Sequence, residues 1–333
     1  MMDLGYWLPL FFAGAMGLAL LIYVVLDGYD LGIGLLLPFA DEKEKDVMVA
    51  AIGPFWDANE TWIVLGVGIL LIAFPQAHGL VLTSLYLPVT LMLMGLILRG
   101  VSFDFRVKAG DKHKAKWNAL FSVGSLIASV SQGWMLGAFV TGLTGDATST
   151  LFAILIALAL PALYIMLGAA WLLIKTEGAL FNKAVRWGRL AVLPMGAFLL
   201  LISIATPLVS ATIAEKWFTL PNAIGLMPIP IATALAYAGL IWVFNSNRIL
   251  HNGYGWLAFL ALIVMCVLAS IGLAYSLFPD IVLGRLSIWD AASSTESLLF
   301  TFWGTVITLP MILGYTFFIY RVFRGKATDL SYE

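Results

Sequence analysis

Residues 4–39 read LGYWLPLFFAGAMGLALLIYVVLDGYDLGIGLLLPF. The first 23 of them, Leu4 to Leu26, carry no charge. A membrane-spanning helix needs about 20 apolar residues, so this stretch is long enough to cross. It runs into Asp27-Gly28-Tyr29-Asp30 and then turns apolar again through Phe39. A carboxylate inside such a helix costs roughly 2.5–3.5 kcal/mol on insertion scales. Acidic residues at that depth therefore point to a proton or ion path, or to a charged partner on a neighbouring helix.

The rest of the chain extends the same reading. Of its 333 residues, 62% are hydrophobic and 11% charged, against about 25% charged in soluble domains. Mean hydropathy is +0.98. Eight further apolar segments follow, at about 51–74, 77–99, 117–142, 149–174, 189–211, 222–245, 255–278 and 298–321. The expectation is one integral membrane domain over 1–333, an all-α bundle of about nine transmembrane helices. No connecting stretch is long enough for a soluble domain, and no internal repeat is visible. The first segment lacks a preceding Lys or Arg and exceeds a signal-peptide core, so it reads as a retained helix. The net charge of −1 gives no reason to expect a nucleic-acid partner. The single cysteine, Cys266, excludes an intrachain disulfide and a thiolate metal site.

Loop charges set an orientation. If the odd-numbered loops and the C-terminus share one side, that side holds 16 of the 18 Lys and Arg residues, and only Lys216 and Arg285 lie opposite. The positive-inside rule makes the basic side cytoplasmic. The N-terminus is then expected outside (periplasmic) and the C-terminus cytoplasmic.

A second acidic cluster, Asp57 and Glu60, opens the second span. If that span began after Glu60, only 14 residues, Thr61 to Phe74, would remain, too few to cross. Asp57 and Glu60 are therefore expected inside the membrane layer or against protein, sharing a helical face by their spacing of three. Asp27, Asp30, Asp57, Glu60 and Asp104 gather with Arg99 and Arg106 towards the cytoplasmic side. The plain reading is an interfacial belt of ion pairs that orients helices. The functional one is a proton path, because burial and a nearby guanidinium together tune a carboxyl group for proton exchange. Trp56 and Trp62 read as interface anchors or as a face for a planar group.

Other residue types exclude more than they suggest. The three histidines, His78, His113 and His251, fall at helix ends or in loops, so bis-histidine haem ligation within the chain is not expected. No residue reads as catalytic or as a metal ligand. Gly28, Gly32 and Gly34 follow no strand, so they form no nucleotide loop. Gly124, Ser125, Ser129, Gly133 and Gly137 give the fourth span a small-residue seam for close helix packing.

Five motifs then stand in order: DGYDLGIG at 27–34, GPFWDANETW at 53–62, LRGVSFDFR at 98–106, LSIWDAASS at 286–294 and YTFFIYRVFRGK at 315–326. Over nearly its full length the chain resembles subunit II of the cytochrome bd quinol oxidases. Ala58 in the second motif resembles the cyanide-insensitive branch. The resemblance implies a complex in the bacterial cytoplasmic (inner) membrane that oxidises a quinol and reduces dioxygen to water. It implies a haem-bearing subunit I carrying haem b and haem d, or a b-type variant. It also implies a bound quinone in some members, and a small single-helix accessory subunit as a further candidate partner beside membrane lipids. No haem ligand is expected in this chain.

On this reading Asp57, Asp27, Glu60 and Asp30 are the proton-path candidates. Asp57 is the enclosed relay, Asp27 lies nearer the water, and Arg99 is the electrostatic partner. Trp289 and Asp290, on the outer side, are expected in capping or subunit contact. Two other readings compete: a stand-alone proton-coupled transporter, and a purely structural partner whose acidic groups all serve interfaces.

Overall fold

Long uninterrupted apolar runs leave backbone groups nowhere to hydrogen-bond except within their own segment, and in a membrane this selects helices. The computed structural model describes residues 3–108 and 110–327. Its helices are α1 (Leu4–Leu36), α2 (Glu42–Ala50), α3 (Trp56–Ala73), α4 (Pro75–Ser84), α5 (Tyr86–Lys108), α6 (Asp111–Val140), α7 (Ala147–Lys175) and α8 (Gly178–Val209). They continue with α9 (Ala211–Phe218), α10 (Asn222–Leu226), α11 (Pro228–Asn245), α12 (Asn247–His251), α13 (Trp256–Leu277), α14 (Ile288–Ala291) and α15 (Thr295–Val322). A small antiparallel hairpin, β1 (Asp280–Val282) and β2 (Leu286–Ser287), precedes α14.

Among the described residues, nine helical segments are long and apolar enough to cross a membrane: α1, α3, α5, α6, α7, α8, α10 with α11, α13 and α15. The chain is an all-α, multi-pass membrane protein. Helix α1 has 33 residues, or about 50 Å at 1.5 Å per residue, well beyond a hydrocarbon layer of about 30 Å. It is the central helix, packed against α3, α6, α7, α13 and α15. Its first half joins α4, the hairpin, α14 and the start of α15 in one apolar cluster around Phe12, Phe74 and Val282. Its second half joins α7 and α13 in a larger one around Tyr29, Tyr164 and Trp171.

Glycine permits the closest helix contact. A Cβ added to Gly32 would lie 1.8 Å from the Tyr164 carbonyl oxygen, so α1 and α7 touch backbone to backbone. The small-residue seam of α6 works in the same way. A Cβ on Gly124 would sit 2.7 Å from the Gly95 carbonyl oxygen of α5, and one on Gly137 would lie 2.6 Å from the Ala153 Cα of α7.

Two boundaries differ from the sequence expectation. The third span starts at Tyr86, not near 77, and Pro75–Ser84 forms the separate helix α4. Pro88 accounts for this, because its ring would clash with the carbonyl of Ser84 in a continuous helix. The sixth span starts at Gly178, well before 189. Its first turns mix apolar residues with Lys183, Arg186 and Arg189, which is why run length alone placed the start later.

Candidate functional site

Three helices bring the acidic residues together. Asp27 lies 23 residues into α1, about 35 Å along it, and Asp30 follows on the same side. Both side chains are fully buried, as is Arg99 of α5 at 1% exposure. Arg99 donates from one terminal nitrogen to Asp27 Oδ1 at 2.5 Å and from the other to Glu60 Oε2 of α3 at 3.1 Å. Glu60 is 29% exposed, so it connects the enclosed pair to the surface.

Asp30 is held differently. Asn59, also fully buried, donates from Nδ2 to Asp30 Oδ2 at 2.8 Å and to the Tyr29 hydroxyl at 2.8 Å. Tyr320 of α15 donates to Asn59 Oδ1 at 3.0 Å and shares a 2.5 Å hydroxyl contact with Tyr29. Asp27 Oδ2, Asp30 Oδ1 and Arg99 Nε have no hydrogen-bond partner among the described residues. Ile52, Trp56, Phe103 and Phe121 surround Asp30 and Arg99 and leave no space large enough for a water molecule beside them.

The residues singled out from sequence divide in two. Asp27, Asp30, Glu60 and Arg99 meet in this cluster. Asp57 does not: it lies in the first turn of α3 with an exposed side chain. The order expected from sequence is thus reversed, with Asp57 at the surface and Asp27 enclosed. Trp56 is half-buried, tilted against Phe103 at 5.2 Å. Trp289 stacks on Tyr6 at 5.2 Å and donates to the Tyr6 carbonyl at 3.2 Å, which ties α14 to the start of α1. Asp290 accepts from the Ser287 hydroxyl at 2.5 Å.

Sequence reading did not single out Asn59, Tyr29 or Tyr320, although each lies in a quoted motif. It also missed a buried chain in which Tyr164 donates to Gln132 Oε1 and Gln132 Nε2 donates to the Tyr23 hydroxyl, both at 2.6 Å. A lone glutamine in an apolar span is the signal that would have found it. Arg106 is buried too, donating to Asn118 at 2.5 Å and to Asp46 at 2.7 Å. Among the described residues, no group of three or more His, Cys, Asp or Glu side chains is placed to hold a metal ion.

Fold and site together define a multi-pass helical membrane protein with a carboxyl–guanidinium cluster buried where three of its helices meet. The family model for cytochrome bd terminal oxidase subunit II matches residues 8–323, and the chain belongs to that family. It is 27% identical over 330 residues to cytochrome bd ubiquinol oxidase subunit 2 of Bacillus subtilis, covering 92% of this chain and 93% of that protein. With cytochrome bd-I ubiquinol oxidase subunit 2 of Escherichia coli K12 it shares 24% identity over 362 residues, covering 95% and 94%. The fold matches a chain from the structure of bd oxidase from Geobacillus thermodenitrificans with a TM-score of 0.75 at 17% identity, covering 95% of this chain and 98% of that one.

Proposed function

We propose that the chain serves as subunit II of a bd-type quinol oxidase in the bacterial cytoplasmic membrane, beside a haem-bearing subunit I. The complex oxidises quinol and reduces dioxygen to water, and the b and d haems, with the chemistry they supply, reside in subunit I. The finer proposal is that this chain carries protons inward from the cytoplasmic side. The order is Asp57 at the mouth, Glu60 at the boundary, then Asp27 and Asp30 inside.

One observation carries this reading: a half-exposed carboxyl, Glu60, and a buried one, Asp27, share the single guanidinium of Arg99. A proton that reaches Glu60 releases its hold on Arg99 and tightens the Arg99–Asp27 pair, so surface and interior are coupled through one side chain. With three carboxyls to one guanidinium, full ionisation would leave net negative charge in a low-dielectric site. Binding protons is the chemistry that balances it. The unpartnered oxygens Asp27 Oδ2 and Asp30 Oδ1 are the atoms where protons would be exchanged.

The test uses the purified complex. Glu60→Gln and Asp30→Asn keep side-chain shape and remove the exchangeable proton. They should retain haem and partner subunit while losing quinol oxidase turnover by about 10-fold or more, the low side of a proton-transfer contribution. Asp57→Asn should cost less, because water can reach Glu60 around it. Full turnover with normal haem content in both Glu60→Gln and Asp30→Asn would dismiss the proton role.

The tight Arg99–Asp27 bond favours a second, structural reading, in which the cluster only locks helices. Loss of haem or of subunit I in the same variants would support that instead. Family membership favours either reading over a stand-alone proton-coupled transporter.

A further inference from the structure

Near the start of α8, a cavity of about 260 Å³ opens beside α12. Arg186, Arg189, His251 and Asn247 line it, over an apolar floor that includes Phe181 and Leu250. This is below the roughly 300–1,000 Å³ of clefts for drug-sized ligands, so it suits a headgroup rather than a whole cofactor.

The cations are not equivalent to their neighbours. Lys183, one turn away, is already engaged by Asp41 at 2.9 Å and Glu44 at 2.6 Å. Arg186 has no ion pair or hydrogen bond among the described residues. Arg189 is fixed in place, donating from Nε to the Phe244 carbonyl at 2.7 Å and from a terminal nitrogen to Asn247 Oδ1 at 3.0 Å. His251 is anchored by Nδ1 at 2.7 Å from the Asn247 carbonyl oxygen. No carboxylate lines the cavity. It is a basic cavity in which Arg189 and His251 are held in place by the protein and Arg186 is left to meet an anion.

What lies next to it selects the occupant. Leu190 and Leu193 continue the same face of α8 towards the membrane, each four residues on from Arg186 and Arg189 in turn. They are 65% and 70% exposed. A basic cavity at the end of a transmembrane helix, continuous with an exposed apolar strip, has the chemistry of a phosphodiester that carries acyl chains. We propose that this cavity seats the headgroup of an anionic phospholipid, whose phosphate lies between Arg186 and Arg189 and whose chains run along Leu190 and Leu193. Inorganic phosphate offers the same charge but has nothing to place on the apolar strip.

The experiment takes the complete, delipidated oxidase complex and offers it equal amounts of phosphatidylglycerol and phosphatidylcholine. Retained lipid is counted by native mass spectrometry. The unsubstituted complex should keep phosphatidylglycerol in preference. Arg186→Gln should lower that preference about fivefold, the attraction of one basic side chain to an anionic lipid surface being about 1 kcal/mol. Arg248→Gln removes the same charge from α12, beside the cavity but outside its lining, and should leave it unchanged. If Arg186→Gln fails to assemble, His251→Glu, which places a negative charge on the rim, should have the same effect. A preference unaltered by substitution in the cavity, or lowered equally by Arg248→Gln, would overturn the proposal. So would displacement of the retained lipid by excess inorganic phosphate, which would assign the cavity to a free anion.

Discussion

Removing Arg99 should be among the most damaging single changes in this chain, and removing Asp27 with it should be less damaging than removing Arg99 alone. The Arg99 side chain is 2% exposed and that of Asp27 fully buried, with 2.5 Å between the paired atoms. Arg99→Met keeps length and apolar bulk but strands Asp27, whose one ion pair among the described residues is with Arg99. Breaking a buried pair by deleting one member costs about 3–5 kcal/mol, roughly two to three and a half decades in the folded-to-unfolded ratio. Asp27→Leu is milder, since Glu60 still accepts from Arg99 at 3.1 Å. The loss there is one charge-assisted hydrogen bond, about 1.5–3 kcal/mol. The double variant Arg99→Met with Asp27→Leu removes both desolvated charges and should approach the unsubstituted protein, as apolar replacement of buried pairs often does.

The assay is a double-mutant cycle on the purified complex, following thermal loss of native haem absorbance at one fixed heating rate. The fixed rate is needed because unfolding of such assemblies is governed by kinetics. The pairing predicts a coupling well above the few tenths of a kcal/mol at which independent sites add. If the two single effects simply sum, or if Arg99→Met is as mild as a surface change, Arg99 and Asp27 do not hold one another and the account of the site fails.

Gly32→Ala should abolish accumulation of the complex in the membrane, because its Cβ would sit 1.8 Å from the Tyr164 carbonyl oxygen; Gly14→Ala, with open space around it, should accumulate normally on an immunoblot. Reporter fusions in the 100–116 loop should behave as cytoplasmic and fusions in 279–297 as periplasmic, and the opposite pattern would reverse the proposed side of proton uptake. Lys175 donates to the carbonyls of Phe323 and Gly325, and Lys326 returns a bond to the Thr176 carbonyl at 3.1 Å; Lys175→Met should therefore make the segment after α15 more readily cut by trypsin without changing the far end of the helix. Asp146 caps α7 by accepting from the Ser149 amide at 2.7 Å and the Thr144 hydroxyl at 2.9 Å, which holds its carboxyl below the usual carboxylate range. A group depressed in this way adds stability that is complete above its unfolded value of about 3.9 and is lost as pH falls through the lower folded value. Protection of the Ser149 amide, measured against its intrinsic exchange rate at each pH, should then fall only below about pH 4, and in Asp146→Asn this step should vanish.

The nine spans were legible because each is an apolar run of sufficient length, and length is what a sequence states most directly. Helix ends were less so. The third span was placed early since Pro75–Ser84 is apolar enough to belong to it, and only the clash of Pro88 with the preceding turn separates the two. The acidic cluster was visible as carboxylates in the wrong solvent. Its internal arrangement was not, because run length says that α3 must begin before Glu60 but not which way its first turn faces. At a helix N-terminus a carboxylate is stabilised by free N–H groups and the helix dipole, so Asp57 can remain exposed there. The buried position falls instead to Asn59, two residues on, a neutral amide that no charge-based reading would single out.

That substitution of roles bears on how the site works. Asp27 is bound to a guanidinium, so neutralising it disturbs charge balance and helix packing together. Asp30 is bound by the amide of Asn59, and its other oxygen is unpartnered. Asparagine at position 30 can still accept from Asn59 Nδ2, so the network through Tyr29 and Tyr320 that joins α1, α3 and α15 survives the change. A defect in Asp27→Asn is therefore ambiguous between structure and proton movement, whereas a defect in Asp30→Asn with haem and partner retained reports proton movement. The two aspartates of the DGYD motif sit one helical turn apart, yet one is tied to the charge that locks the bundle and the other to a neutral network. If the site carries protons as proposed, α3 and α5 supply different partners to the locking and the carrying aspartate, and only variants that respect those partners can tell the two roles apart.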